Sequence, residues 1–242
     1  MYILRYIYSI ILLIFTLLLR LYLFILKRTA ARTQEKYDRH VYKITNWWAS
    51  YMLKVLGIKV KLKGKENLPE GNCMFVSNHQ GNADFFIPMA VLNKQLGFIA
   101  KKEILKIPIL RTWMKDMHCV FIDRENIRES LKAINQGIDN VNAGYSMLIF
   151  PEGTRSKSHK LGEFKKGSMK MALKANAPLV PIVLDNTFKV FEENKGKLKP
   201  ATITMSILKP IDVNALDKEQ KAHLAELVRE KIAQELEKNQ DN

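Results

Sequence analysis

The sequence predicts an α/β fold, a mixed and largely parallel sheet covered by helices, preceded by an N-terminal helical pair. Three observations carry this expectation. From residue 58 onward, short apolar runs of strand length alternate with stretches of helical length, as in a sheet wrapped by crossover helices. Before residue 58 that alternation is absent, and the first 26 residues contain only Arg5 and Arg20 as charges. Hydrophobic residues make up 47% of the 242, enough for one substantial core. The expected division is a unit of membrane-anchoring helices at 1–57 and an α/β domain at 58–242.

The anchor comes first. "MYILRYIYSIILLIFTLLLRLYLFIL" is uncharged from Ile7 to Leu19, shorter than the roughly 20 residues a spanning helix needs. It reaches spanning length if Arg20 snorkels; otherwise the segment lies in one leaflet. No small-residue cleavage site follows it, so it does not read as a removed signal peptide. Lys27, Arg28, Arg32 and Lys36 then place its C-terminal end, and with it the following domain, on the cytoplasmic side of a cell membrane. Residues 35–57 read as a second helix, with Val41, Ile44, Trp48, Met52 and Val55 on one stripe. Trp47, Trp48 and Tyr51 suit either the headgroup level or packing against the domain that follows.

Seven strand-like runs come next: "IKVKLKG", "CMFVSN", "LGFIAK", "HCVFID", "SMLIF", "PLVPIVL" and "TITMSIL". In the last of them Ile203, Met205 and Ile207 alternate onto one face. Helical stretches lie at 84–93, 103–116, 126–142 and 165–176. Asp217 with Gln220 forms a capping box ahead of a helix whose stripe is Leu224, Val228, Ile232 and Leu236.

A net charge of +15 calls for anionic partners. Nucleic acid is not among the expected ones, because the chain carries neither a recognised module nor a basic run interleaved with aromatics. Cys73 and Cys119 sit in apolar runs and read as buried free thiols in a reducing compartment. His40, His118, His159 and His223 have no partner at metal-ligand spacing and no HExxH occurs, so no metal is expected.

Chemistry is concentrated elsewhere. "VSNHQGNADFF" puts His79 and Asp84 between an apolar strand and an apolar helix. Five residues apart on one helix, their side chains would point well away from each other, so they meet only if the chain between them turns. Gly81 and Asn82 favour such a turn. Either the pair caps that turn, or an Asp-oriented His stands at a strand's end, where open α/β sheets bind ligands. Further along come "KKE" with Lys102, "FIDR" ending in Arg124, "FPEGTRS" with Glu152, Gly153, Thr154 and Arg155, and "VPIVL".

In order and spacing these stretches resemble the four motifs of the glycerolipid acyltransferase family, with the 1-acylglycerol-3-phosphate acyltransferases as the nearest class, over residues 58–210. One departure shows. Where family members often have a glycine shortly before the "FIDR"-like segment, this chain reads "MHCVFIDR".

The resemblance implies transfer of a fatty acyl group from a coenzyme A or acyl-carrier-protein thioester to the 2-hydroxyl of lysophosphatidic acid, at an anionic membrane and without a cofactor. Residue chemistry fits that expectation. A thioester is already activated, so what the reaction lacks is a base, and His79 supplies one, oriented by Asp84. With no GxSxG elbow, direct transfer is favoured over an acyl-enzyme. Arg155 is the expected grip on the acceptor's phosphate, shared with Lys102 and Arg124. Glu152 either binds a substrate hydroxyl or pairs with Arg155. Backbone amides near His79 are the candidate oxyanion donors. The rival readings are another lysolipid acceptor and an acyl-thioester hydrolase.

Overall fold

The structure is a computed structural model that describes residues 14, 15, 17–25 and 33–240. Most of the apolar segment 1–26 and the basic run after it lie outside the described residues; within it, 17–25 are helical and apolar apart from Arg20. Leu18 there is 58% exposed, and Leu21, Phe24 and Ile25 are exposed with it. No helix among the described residues is long and apolar enough to cross a membrane.

Helix α1 (Gln34–Val55) is a single element, yet the chain divides into compact units inside it, at Met1–Ile44 and Thr45–Asn242. The C-terminal half explains why. Ala49, Leu53 and Leu56 are buried with the sheet residues Ile58, Phe75 and Ile203, and Asn46 Nδ2 donates to Met89 O at 2.8 Å. The two tryptophans part company: Trp48 packs on Phe86, ring centroids 5.3 Å apart, whereas Trp47 stacks on Tyr51 and is 48% exposed.

The second unit holds a seven-stranded sheet in the order β1-β7-β6-β2-β5-β3-β4. Its strands are β1 (Ile58–Lys63), β2 (Met74–Ser77), β3 (Leu96–Lys101), β4 (Val120–Ile122), β5 (Ser146–Ile149), β6 (Leu179–Asp185) and β7 (Ala201–Ile207). Every neighbouring pair is parallel except β6 and β7, so the sheet is mixed and largely parallel as the sequence predicts. The central strands β2, β5 and β6 are buried along their whole length, as strands covered on both faces must be. Helices α2 (Phe86–Val91), α3 (Pro108–Asp116), α4 (Ile127–Asn142), α5 (Lys170–Lys174), α6 (Lys218–Ala222) and α7 (Leu224–Gln240) complete the unit. One core lies between the sheet and residues of α1 and α2; a second lies on the other face, with α5 and α7.

Several helical stretches are shorter than the sequence pattern predicts, each for a local reason. The stretch 103–116 breaks at Ile107, which is extended (φ −98°, ψ 102°) because it precedes Pro108; Pro108 then opens α3. The stretch from 84 begins as an α-helix only at Phe86, because the turn through Gly81 and Asn82 occupies the chain before it. The capping box at Asp217 and Gln220 forms, but its helix stops at Ala222, and α7 starts afresh with the predicted stripe buried. Ahead of β4 the chain turns with His118 at φ +58°, a left-handed conformation that glycine adopts without strain. Both cysteines are buried free thiols, and burial pushes Cys119 up to about 12.

Candidate active site

Because β2 and β6 run parallel, with Ser77 opposite Ile182, both deliver their following residues to one edge of the sheet. Asn78 secures the junction: its Nδ2 donates to Leu184 O at 2.7 Å and its Oδ1 accepts from Leu184 N at 2.8 Å. The next residue is His79. Its ring stacks on Phe150, the residue after β5, at 4.2 Å.

The turn the sequence requires is present. His79 Nδ1 lies 2.5 Å from Asp84 Oδ2, and the same oxygen accepts from Gly81 N–H at 2.9 Å. A carboxylate that receives both contacts is an acceptor, so Nδ1 carries the hydrogen and Nε2 is left with its lone pair. Asp84 is fully buried, and the His79 side chain keeps 20% of its surface exposed. The carboxyl group is therefore buried while the ring it orients reaches the surface.

Two more carboxylates hold the same turn. Glu152, 6% exposed, accepts from His79 N–H at 2.7 Å with Oε1 and from Gly162 N–H at 2.9 Å with Oε2. Both oxygens are thus taken by main chain. Burial raises its pKa, while those two hydrogen bonds pull it down. Glu192 accepts from Asn82 N–H at 2.9 Å. The amides of His79, Gly81 and Asn82 are spent on carboxylates, so they are not the oxyanion donors that the sequence left open.

The cations expected around the acceptor occupy distinct places. Arg155 Nη1 donates to Asn82 Oδ1 at 2.5 Å and to Glu192 Oε1 at 2.9 Å. Lys102 pairs with Asp123 at 2.5 Å, which holds the Asp123 carboxyl below its usual range. Arg124 donates to the carbonyl of Gly153, which stands at φ +73° as only glycine does comfortably. A Cβ at that position would lie 3.2 Å from Lys165 Nζ, so a second cation stands against the same turn. The sequence reading passed over Lys165; the basic pair in "FKKG" was its signal.

A cavity of about 450 Å³ opens beside Glu152, lined by Thr154, Ser156, Lys160, Gly162 and Lys165 among others. Its loop is laid against the His79–Asp84 turn by Ser156 N–H on His79 O at 2.8 Å and Lys157 N–H on Gln80 O at 3.1 Å. Among the described residues no group of His, Cys, Asp and Glu is placed to hold a metal ion.

A His held by a buried Asp, at one end of the strands of a largely parallel sheet, is an arrangement able to accept a proton from a hydroxyl. The family model described as Acyltransferase matches residues 59–185, and the chain belongs to that family. The 1-acyl-sn-glycerol-3-phosphate acyltransferase of Saccharomyces cerevisiae is 32% identical over 75% of this chain and 61% of its own length, so the chain spans about three fifths of that relative. The protein of the same name from Borreliella burgdorferi is 32% identical over 81% of this chain and 76% of its own. The crystal structure of the 1-acyl-sn-glycerophosphate acyltransferase from Thermotoga maritima superposes with a TM-score of 0.77 at 25% identity, covering 95% of this chain and 98% of that one.

Proposed function

We propose that the protein transfers a fatty acyl group from a thioester, carried by coenzyme A or acyl carrier protein, to the 2-hydroxyl of 1-acylglycerol 3-phosphate, giving phosphatidic acid. The observation that carries this reading is the His79–Asp84 pair, with Nδ1 committed to a buried carboxylate and Nε2 as acceptor. Membership of the acyltransferase family and the names of the relatives support the acyl chemistry and the acceptor.

His79 Nε2 takes the proton of the acceptor hydroxyl as its oxygen attacks the thioester carbonyl carbon. Asp84 stabilises the imidazolium that forms. When the tetrahedral intermediate collapses, the carbon–sulfur bond breaks and the proton passes from Nε2 to the thiolate, which restores the base. General-base help of this kind is worth roughly 10²- to 10⁴-fold. Arg124 and Lys165, converging on Gly153, supply the positive charge for the acceptor's phosphate; Lys102 is paired with Asp123 and Arg155 with Glu192. The apolar segment 1–26 and the basic residues after it hold the enzyme at the cytoplasmic face of an anionic membrane.

The test is mass spectrometry of products from acyl-CoA and acyl carrier protein donors with lysophosphatidic acid, monoacylglycerol, lysophosphatidylcholine or no acceptor. Phosphatidic acid that depends on lysophosphatidic acid is expected. Arg124→Ala should cost about ten- to a hundred-fold in kcat/KM for that acceptor and little for monoacylglycerol. Free fatty acid released at the same rate without acceptor would instead make the chain a thioester hydrolase.

A further inference from the structure

We infer that Glu192 is a positioning residue for the catalytic histidine, although it lies beyond the segment 59–185 that matches the family. The inference rests on the reading of His79 as the base.

Glu192 follows β6 by way of a 3₁₀ turn, Thr187–Val190, and its side chain is only 5% exposed. A carboxylate so deeply buried needs partners, and its Oε1 has taken them from the His79–Asp84 turn and from Arg155, while Oε2 is buried without a hydrogen-bond partner. One oxygen, Oε1, accepts from Asn82 N–H and from Arg155 Nη1, each at 2.9 Å. Arg155 Nη1 in turn reaches Asn82 Oδ1 at 2.5 Å, so Asn82 is gripped through both main chain and side chain.

Asn82 is the middle of the link between His79 and Asp84. Its neighbour Gly81 gives its N–H to Asp84 Oδ2, the oxygen that orients the imidazole. Gly81 also makes room for the clamp: a Cβ there would stand 2.7 Å from Glu192 Oε2. The same segment holds the turn at a second point, where Thr187 N–H donates to Gln80 Oε1 at 3.2 Å. Arg155 and Glu192 thus fasten three pieces of chain to one another: the catalytic turn, the loop after "FPEG" and the segment after β6. Without the carboxylate, Asn82 N–H loses its acceptor and Arg155 keeps only Asn82 Oδ1, and the turn that fixes Asp84 against His79 loosens. Errors of about 1 Å in such geometry can cost on the order of a hundredfold in rate.

The experiment compares the full chain with Glu192→Ala and Glu192→Gln. Glutamine keeps an acceptor oxygen for Asn82 N–H. Glu192→Ala should lose about ten- to a hundred-fold in kcat with donor KM almost unchanged, and Glu192→Gln should recover most of that loss. In a nitrogen-15 histidine spectrum, the Nδ1–H of His79 should exchange with water faster in Glu192→Ala than in the wild type, and as slowly as in the wild type in Glu192→Gln. The spectrum reports on the clamp even if the wild type makes no phosphatidic acid, so failure of the functional reading is separable. Glu192→Ala with kcat within twofold of wild type and an unchanged Nδ1–H signal would overturn the inference. So would a loss of activity fully accounted for by a smaller folded fraction.

Discussion

Asp84 does two things with one oxygen, and the substitutions that separate them are informative. In Asp84→Asn the amide can accept one hydrogen bond but brings a donor into a buried site built from donors, so the imidazole loses its fixed tautomer. We expect His79→Ala to abolish transfer and Asp84→Asn to lower kcat by about 10²- to 10⁴-fold with acceptor KM little changed, measured on purified, folded protein. A folded His79→Ala at wild-type rate would remove the histidine from the mechanism. Glu152 offers a second reading at this scale, through pH. Its folded-state pKa is raised above 4.5, with burial as the leading cause, so in the window above 4.5 the native chain binds the proton more readily than the unfolded one. This group's contribution to stability is therefore present at low pH and lost as pH rises through the raised value. Glu152→Gln should lack that falling slope in a series of unfolding midpoints; superimposable profiles for the two proteins would contradict it. His79 and Asp84 were legible in the sequence because QGNA allows the turn that brings an imidazole and a carboxylate together, and because the resemblance of the further motifs favoured a site over a cap. Glu192 was not, since nothing local marks a residue whose partner is 110 positions away.

Among the elements, the C-terminal helix shows what periodicity can and cannot reveal. The stripe Leu224, Val228, Ile232 and Leu236 is buried in α7 as the spacing predicts, because packing against the sheet fixes which face turns inward. The interruption at His223 was not legible, since a one-residue break leaves the spacing of apolar residues unchanged. Ile232→Ala should destabilise the protein by about 2–5 kcal/mol, whereas Lys231→Ala, one residue away and exposed, should stay within about 0.5 kcal/mol. Chemical denaturation of the two variants decides it, and equal effects would mean that α7 does not face the core. The shortened α3 makes the opposite point: the stretch 103–116 reads as one helix although Pro108 is visible and its effect on the residue before it marks the break at Ile107.

At the scale of the whole chain, a net charge of +15 and an apolar N-terminus predict adhesion to anionic vesicles. Removing residues 1–33 should weaken sedimentation with vesicles while leaving the melting temperature near that of the full chain. Removing 1–57 should also lower the melting temperature, because Ala49, Leu53 and Leu56 leave the core with it. Tight, salt-resistant vesicle binding by 34–242 would put the anchor elsewhere. The sequence showed a helix over 35–57 but not that its second half belongs to the core of the second unit, because an apolar stripe fits a membrane and a sheet equally well.

The pairing of β1 with β7 has a bearing on how the protein is made. Among the strands, β1 has β7 as its neighbour and stands at the margin of the sheet. A ribosome moving at roughly 5–20 residues per second needs on the order of ten seconds to travel from Lys63 to Ala201, and for that interval β1 is a finished strand with nothing to pair with. It emerges as "IKVKLK", every second residue a lysine, the composition that keeps an orphaned strand from zipping onto its copies on neighbouring nascent chains. Lysines at alternate positions oppose such pairing with other chains while the partner strand has yet to be synthesised.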